Sequence, residues 1–352
     1  MKEKDHLPFP FVQDLDLFSC LLLEVQINSG YPRIIRVLKV QELKTTLDEL
    51  KLEVTDPTLS DLSQEINELV KAGGKKFRPG LMFLMGKAFG LSYEDLKIYA
   101  RAVELTHLAS LIHDDVIDES THRRNHPTLN ALRNNTTAVL AGDYVLATIM
   151  GELACANRND LLIDLTRCIK DLSDGEWLQF DLKSKEKVSF EDLELVCIKK
   201  TGSLIRYCCT TPAKIAGHNN LAAMEVLGER IGLIFQMADD IVDGLNQSGR
   251  APFQDITNGQ LNYVTLKLME LYPELNEGVY ALKKGMSKKI PWTQEQYLEA
   301  IKKVHELINS EKKNLLNIFS DLCHQKNQED LIEIFDMTLS KIQLNYTAQL
   351  SL

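Results

Sequence analysis

The sequence predicts an all-α fold, a single large helical bundle. Three observations predict it. Apolar residues recur at helical spacing almost everywhere, and strand-like alternation is scarce. Glycine and proline number only 18 and 10 in 352 residues, few for a chain of strands and tight turns. No Gly/Ser-rich or Pro-rich linker divides the chain, and no fixed-period repeat is evident. Residues 1–352 are therefore read as one domain, with 1–33 as an N-terminal extension.

The elements follow in order. Pro8, Pro10, Gly30 and Pro32 break the first segment. A helix is predicted from Ile34 to Val54, and after Pro57 another from Leu59 to Lys71. Ala72-Gly73-Gly74-Lys75-Lys76 is a loop, and Pro79 suits the first turn of the next helix. Further helices are predicted over about 93–116, 137–156, 160–180, 190–200, 203–216 and 221–242. The polar stretch 245–262, with Gly249, Pro252 and Gly259, reads as a loop. Two or three helices fill 263–352.

Composition narrows the function. Hydrophobic residues make up 44% and charged residues 26%, ordinary values for a soluble globular protein. The formal net charge of −10 argues against broad binding to nucleic acid or anionic lipid, and leaves room for a local basic pocket. The seven cysteines (Cys20, Cys155, Cys168, Cys197, Cys208, Cys209 and Cys323) are odd in number and lack Cys-x-x-Cys spacing. Reduced, buried thiols and a cytoplasmic location are expected. No signal peptide is indicated. No stretch reaches ~20 uninterrupted apolar residues, so no membrane span is expected.

Two copies of Asp-Asp-x-x-Asp carry the chemistry. They are Asp114, Asp115 and Asp118, then Asp239, Asp240 and Asp243, each at the end of an apolar helical run. Positions i and i+4 share a helix face, so Asp114 pairs with Asp118 and Asp239 with Asp243. Three carboxylates closing a buried helix repel one another and resist desolvation, so a cation is needed. Divalent metal is the simplest one, and oxygen ligands suit Mg2+. Basic residues punctuate the polar turns: Lys75, Lys76 and Arg78; Arg123 and Arg124; Lys199 and Lys200; Arg250. Guanidinium forks and ammonium groups are what phosphate oxygens prefer.

At this point the chain resembles the all-trans polyprenyl diphosphate synthases, the isoprenoid synthases of class I. The matching stretches are Gly73 to Pro79, Glu104 to His107, Ser110 to Pro127, Ala141 to Asp143, Gly175 to Gln179, Lys200-Thr201 and Phe235 to Asp240, in that order. The resemblance implies helices around a deep central cavity and a homodimer. It implies that Asp114, Asp118 and Asp239 lead in binding Mg2+, supported by Asp115, Asp240 and Asp243. Lys75, Arg78, His107 and Arg124 would bind isopentenyl diphosphate. Arg123, Lys200, Thr201, Gln236 and Arg250 would bind an allylic diphosphate. The implied reaction is condensation of those two substrates to an all-trans polyprenyl diphosphate. Ala109 and Ser110, small residues just before the first motif, leave a tail tunnel open, so a product of C20 or longer is expected.

Three departures stand out. Arg250 replaces a usual Lys, Lys76 a usual Arg, and Gln260 a second usual Lys. A neutral amide supplies no charge, so weaker allylic binding than a Lys would give is expected. A class I terpene cyclase or lyase, or a non-catalytic subunit of a heteromeric synthase, stays open as an alternative. The Lys75, Arg78, His107 and Arg124 set favours the transferase.

Overall fold

Helix follows helix along the chain, in a computed structural model that describes residues 33–71, 74, 76–123, 126–245, 253–322, 332, 335 and 336. The helices are α1 (Arg33–Asp48), α2 (Ser60–Lys71), α3 (Phe77–Ala88), α4 (Lys97–Ile117), α5 (Leu129–Leu132), α6 (Asn135–Cys155) and α7 (Asn159–Ser184). They continue with α8 (Phe190–Cys197), α9 (Ser203–Ile215), α10 (Leu221–Asp243), α11 (Gln254–Thr257), α12 (Tyr263–Leu271), α13 (Asn276–Lys283) and α14 (Gln294–Leu322). The expected extension 1–33 lies outside the described residues except for Arg33.

Local chemistry sets the helix starts. Asn134 Oδ1 accepts from the Thr137 amide at 2.8 Å to begin α6, and Asn220 does the same for α10. Ser189 with Asp192, and Asn262 with Thr265, form reciprocal caps on α8 and α12. The first helix stops six residues short of the expected Val54. There the chain turns non-helical because side chains satisfy its backbone. Asn67 bonds both the amide and the carbonyl of Val54 at 2.8 and 2.9 Å, and Arg101 donates to the carbonyls of Lys51 and Glu53. Lys76 is spent on structure too: its ammonium donates to the Leu47 carbonyl at 2.8 Å.

Helix α4 packs along α6, α9 lies between α3 and α10, and α10 and α12 both pack on α14. Their apolar faces merge in one core, with Phe83, Tyr207, Phe319 and Phe335 under 2% exposed. Burying each such side chain contributes about 1.5–3 kcal/mol. Helix α6 is long and apolar enough to cross a membrane by length and composition, yet only a third of that window is buried within the protein. It carries Asp143 and Glu152, and Glu152 pairs with Arg101 of α4 at 2.9 Å.

Two features escaped the sequence pattern. A two-residue antiparallel ladder, β1 (His122–Arg123) with β2 (His126–Pro127), turns the chain back after the first acidic motif. The other is a π-helical turn, Ile198–Gly202, that joins α8 to α9. The π turn sits where three glycines let backbones meet. A Cβ on Gly175 of α7 would lie 2.7 Å from the Lys200 amide nitrogen, and one on Gly232 of α10 would lie 2.6 Å from Gly202 Cα. Only hydrogen fits at such a crossing.

Candidate active site

The first acidic motif closes α4. Asp114 sits on its last turn, half-buried, and Asp118 is the exposed C-cap residue whose amide bonds Asp114 O at 2.8 Å. Glu119 then takes a left-handed φ of 52°, which ends the helix. Asp115 points the other way. It is 6% exposed, and Arg123 grips its Oδ1 through Nε and Nη2 at 2.9 and 2.8 Å. The β1–β2 ladder brings Arg123 back over the helix to do so.

The second motif closes α10 in the same pattern. Asp239 is exposed, whereas Asp240 is 3% exposed and satisfied by protein. Gln236 Nε2 donates to its Oδ1 at 2.9 Å, and the Tyr263 amide donates to its Oδ2 at 2.8 Å. Burial and the neighbouring Asp255 carboxylate hold the Asp240 carboxyl above its ordinary range. Asp243 Oδ1 accepts from the amides of Gln254 and Asp255, and so fastens the start of α11.

The π turn joins the two motifs. Lys200 Nζ lies 3.9 Å from Asp114 Oδ2, pairs with Glu176 of α7, and donates to Gln179 Oε1 at 2.9 Å. The next residue, Thr201, donates to Gln236 Oε1 at 3.1 Å. Adjacent residues of one turn thus reach the first motif directly and the second through Gln236. Burial pushes the Asp114 carboxyl up to about 6, although the Lys200 ammonium pulls it down. Burial works against the charge on Lys200, but Asp114 and Glu176 outweigh it and hold the ammonium above the ordinary lysine value. Lys199, the neighbouring cation, faces away and is held by Asp171 at 2.5 Å and Asp174 at 3.4 Å.

Of the other predicted residues, Arg78 and His107 are half-buried on α3 and α4. Lys75, Arg124 and Arg250 lie outside the described residues. Ala109 is fully buried, and Ser110 folds its hydroxyl onto the His107 carbonyl at 2.8 Å. Glu176 was absent from the predicted site, although its place three residues before Gln179 on one helix face was a usable signal. Gln260 is no vacancy: its Oε1 accepts from Gln179 Nε2 at 2.6 Å.

Among the described residues, no three His, Cys, Asp or Glu side chains converge tightly enough to enclose a metal on their own. The donors presented by Asp114, Asp118, Asp239 and Asp243 are all carboxylate oxygens. That set fits a hard divalent cation, which commonly completes its shell with substrate phosphate and water.

Comparison with known proteins fixes the class. Residues 60–304 match the family model described as polyprenyl synthetase. The chain is 31% identical over 319 residues to a prenyl transferase of Synechocystis, spanning 86% of this chain and 96% of that one. It is 31% identical over 290 residues to the decaprenyl-diphosphate synthase of Dictyostelium discoideum, spanning 76% of this chain and 62% of that one. Its fold matches a polyprenyl synthase from Caulobacter crescentus, crystallised with calcium and isoprenyl diphosphate, with a TM-score of 0.73 at 22% identity over 87% of this chain and 96% of that one. The chain belongs to the polyprenyl synthetase family, a class of all-α, divalent-metal-dependent trans-prenyltransferases.

Proposed function

We propose that the protein condenses isopentenyl diphosphate with an allylic diphosphate, in the presence of Mg2+, to give an all-trans polyprenyl diphosphate of C20 or longer. One observation carries this reading: Lys200 and Thr201, adjacent on the π turn, reach the two acidic motifs. An anion with a bound cation on each side matches that arrangement. Asp114 and Asp118 from α4, with Asp239 and Asp243 from α10, would hold Mg2+. Bound there, Mg2+ would neutralise charge that grows on the departing diphosphate.

This chain's own residues do the rest. Lys200, with Arg123, Arg250 and the Thr201–Gln236 pair, would position the allylic diphosphate. Lys75, Arg78, His107 and Arg124 would hold isopentenyl diphosphate so that its double bond meets the allylic cation. The allylic C–O bond would break first, the double bond of isopentenyl diphosphate would attack the resulting cation to form the new carbon–carbon bond, and the proton lost from the isopentenyl unit would pass to the departed diphosphate. The apolar walls of the central cavity that the resemblance implies would exclude the water that quenches the cation. Ala109 and Ser110, both small, would leave the tail a path beside α4.

The reading extends to assembly and place. The chain would work as one catalytic unit and as a homodimer. Val139 and Leu140 of α6, and Trp177 and Phe180 of the adjoining α7, are large apolar side chains left 41–67% exposed, as an interface between copies requires. Cys155, Cys168, Cys197, Cys208 and Cys209 are free thiols, in keeping with a reducing cytoplasm.

The test is steady-state turnover with Mg2+, isopentenyl diphosphate and allylic primers of increasing length, with products sized by chromatography. Asp114→Asn and Asp239→Asn should each lower kcat by a factor of about a thousand or more while the fold survives, each ~1.4 kcal/mol of lost transition-state stabilisation being tenfold. Near-wild-type turnover in either variant refutes the assignment.

A further inference from the structure

We infer that Gln260 is a positioning residue for the diphosphate site, acting on Lys200 through Gln179. The chain of contacts is short and directional. Lys200 Nζ donates to Gln179 Oε1 at 2.9 Å, and Gln179 Nε2 donates to Gln260 Oε1 at 2.6 Å. Its polarity is fixed by inventory. An ammonium group has donors and no acceptor, so Gln179 must show it the carbonyl end. The amide end then faces Gln260, which must present its own oxygen. Position 260 therefore has to supply the acceptor for Gln179 Nε2, and by holding that amide in place it steadies the ammonium beside Asp114 and Glu176.

The backbone around the bridge is built to hold it. Gly259 takes a left-handed φ of 82°, and the Gln260 amide donates to the Asp255 carbonyl at 2.9 Å, so the turn presents Gln260 in one direction. Lys283 fastens the other side. It is 5% exposed, and its ammonium donates to the carbonyls of Leu182 and Lys185 at 2.8 Å each, where α7 ends. Its own carbonyl lies 3.5 Å from where a Cβ on Gly259 would stand. One buried lysine thus ties the end of the helix bearing Gln179 to α13, whose last residue lies against the turn bearing Gln260. A residue that merely lost a cation would not need an anchored acceptor in this place.

The inference rests on the diphosphate reading of the site proposed above, and the experiment separates the two. The full-length wild type, Gln260→Met, Gln179→Met and the double variant are titrated with inorganic diphosphate in excess Mg2+ by calorimetry. The same proteins are then assayed with a C15 allylic diphosphate and isopentenyl diphosphate. Methionine keeps the length of the side chain and removes the acceptor. Gln260→Met should weaken diphosphate binding about fivefold and raise the allylic KM by the same factor, the scale of one lost hydrogen bond. Its kcat and its isopentenyl diphosphate KM should stay within about twofold, since the bridge touches neither. Gln179→Met should cost more, and the double variant no more than Gln179→Met alone, because the second change removes a link already cut. Additive losses, or unchanged diphosphate affinity in Gln260→Met, overturn the inference. Gln260→Ser replaces Gln260→Met should the latter fail to fold, as judged by thermal melting. A wild type that binds diphosphate but condenses nothing removes the functional reading, while the calorimetric cycle still decides the bridge.

Discussion

Asp114 is the residue on which proton, lysine and the proposed metal converge, and its titration gives a signed expectation. Its carboxyl takes up a proton near pH 6 in the folded protein, against an ordinary value of 3.8. The native state therefore binds more protons than the unfolded state between about pH 4 and 6, and substrate-free stability falls as pH rises through that window. Above it the full penalty of a buried carboxylate remains. Asp114→Asn should then raise the melting temperature of the substrate-free protein at pH 8 and leave it unchanged at pH 4. Proton and metal compete for the same oxygens, so the wild type should need more Mg2+ as pH drops below about 6. Melting curves and Mg2+ titrations at stepped pH check both. Ala109 gives a second expectation at this scale. A ring in place of its methyl would block a tail path beside α4, so Ala109→Phe should shorten the product, read by chromatography of extracted chains. The paired carboxylates and their i, i+4 spacing were legible in the sequence. The resemblance already ranked Asp115 and Asp240 behind Asp114 and Asp239, but the protein partners that hold them were not legible. Asp115 and Asp240 sit about 100° around the helix from the residues before them, and only the folded chain brings Arg123, Gln236 and the Tyr263 amide to meet them. The contact of Gln260 was hidden for the same reason, since its partner Gln179 lies far away in sequence.

At the scale of elements, α10 and α12 are stitched together through Asp240. It accepts at one oxygen from Gln236 on its own helix and at the other from the first amide of α12. Asp240→Asn keeps one acceptor and turns an amide group toward a donor. The variant should lose about 1–3 kcal/mol of stability by urea unfolding, with Thr201 and Gln236 displaced as a unit. Helix positions were readable from apolar spacing and from caps such as Ser189 and Asn262. The ends of α1 and α8 were not. Val54 leaves the helix because Asn67 and Arg101 satisfy its surroundings, a contact no local pattern announces. Lys199 and Lys200 look equivalent in sequence. Both lie in the π turn and point apart there, one to Asp171 and the other to Asp114.

For the molecule as a whole, the apolar side chains left bare on α6 and α7 carry the remaining expectation. Leu140 is 58% and Trp177 67% exposed, large surfaces for a chain whose core is otherwise well covered. A homodimer closed through them would bury both. Leu140→Glu combined with Trp177→Glu should convert a dimer to a monomer in light scattering after size-exclusion, with the helical signal retained in circular dichroism. A wild type that elutes as a monomer at micromolar concentration overturns the assembly. The all-α class was legible because helical periodicity needs no partner to be seen. The expectation of a homodimer came from the resemblance alone, since an exposed leucine in a sequence looks the same as a buried one.

The π turn has a further consequence, which concerns counting. A π turn is a helix carrying one residue more than its pitch requires. Remove any one residue between Ile198 and Gly202, and the ladder can close as an ordinary α-helix running from α8 into α9. The flanking helices keep their faces, because the π turn is what absorbed the extra residue. Within the turn four residues would stand where five do now, and Lys200, Thr201 and Gly202 could not all keep Asp114, Gln236 and Gly232. The site is therefore encoded partly as a length, and a family member one residue shorter here would be a different machine even with every named side chain intact.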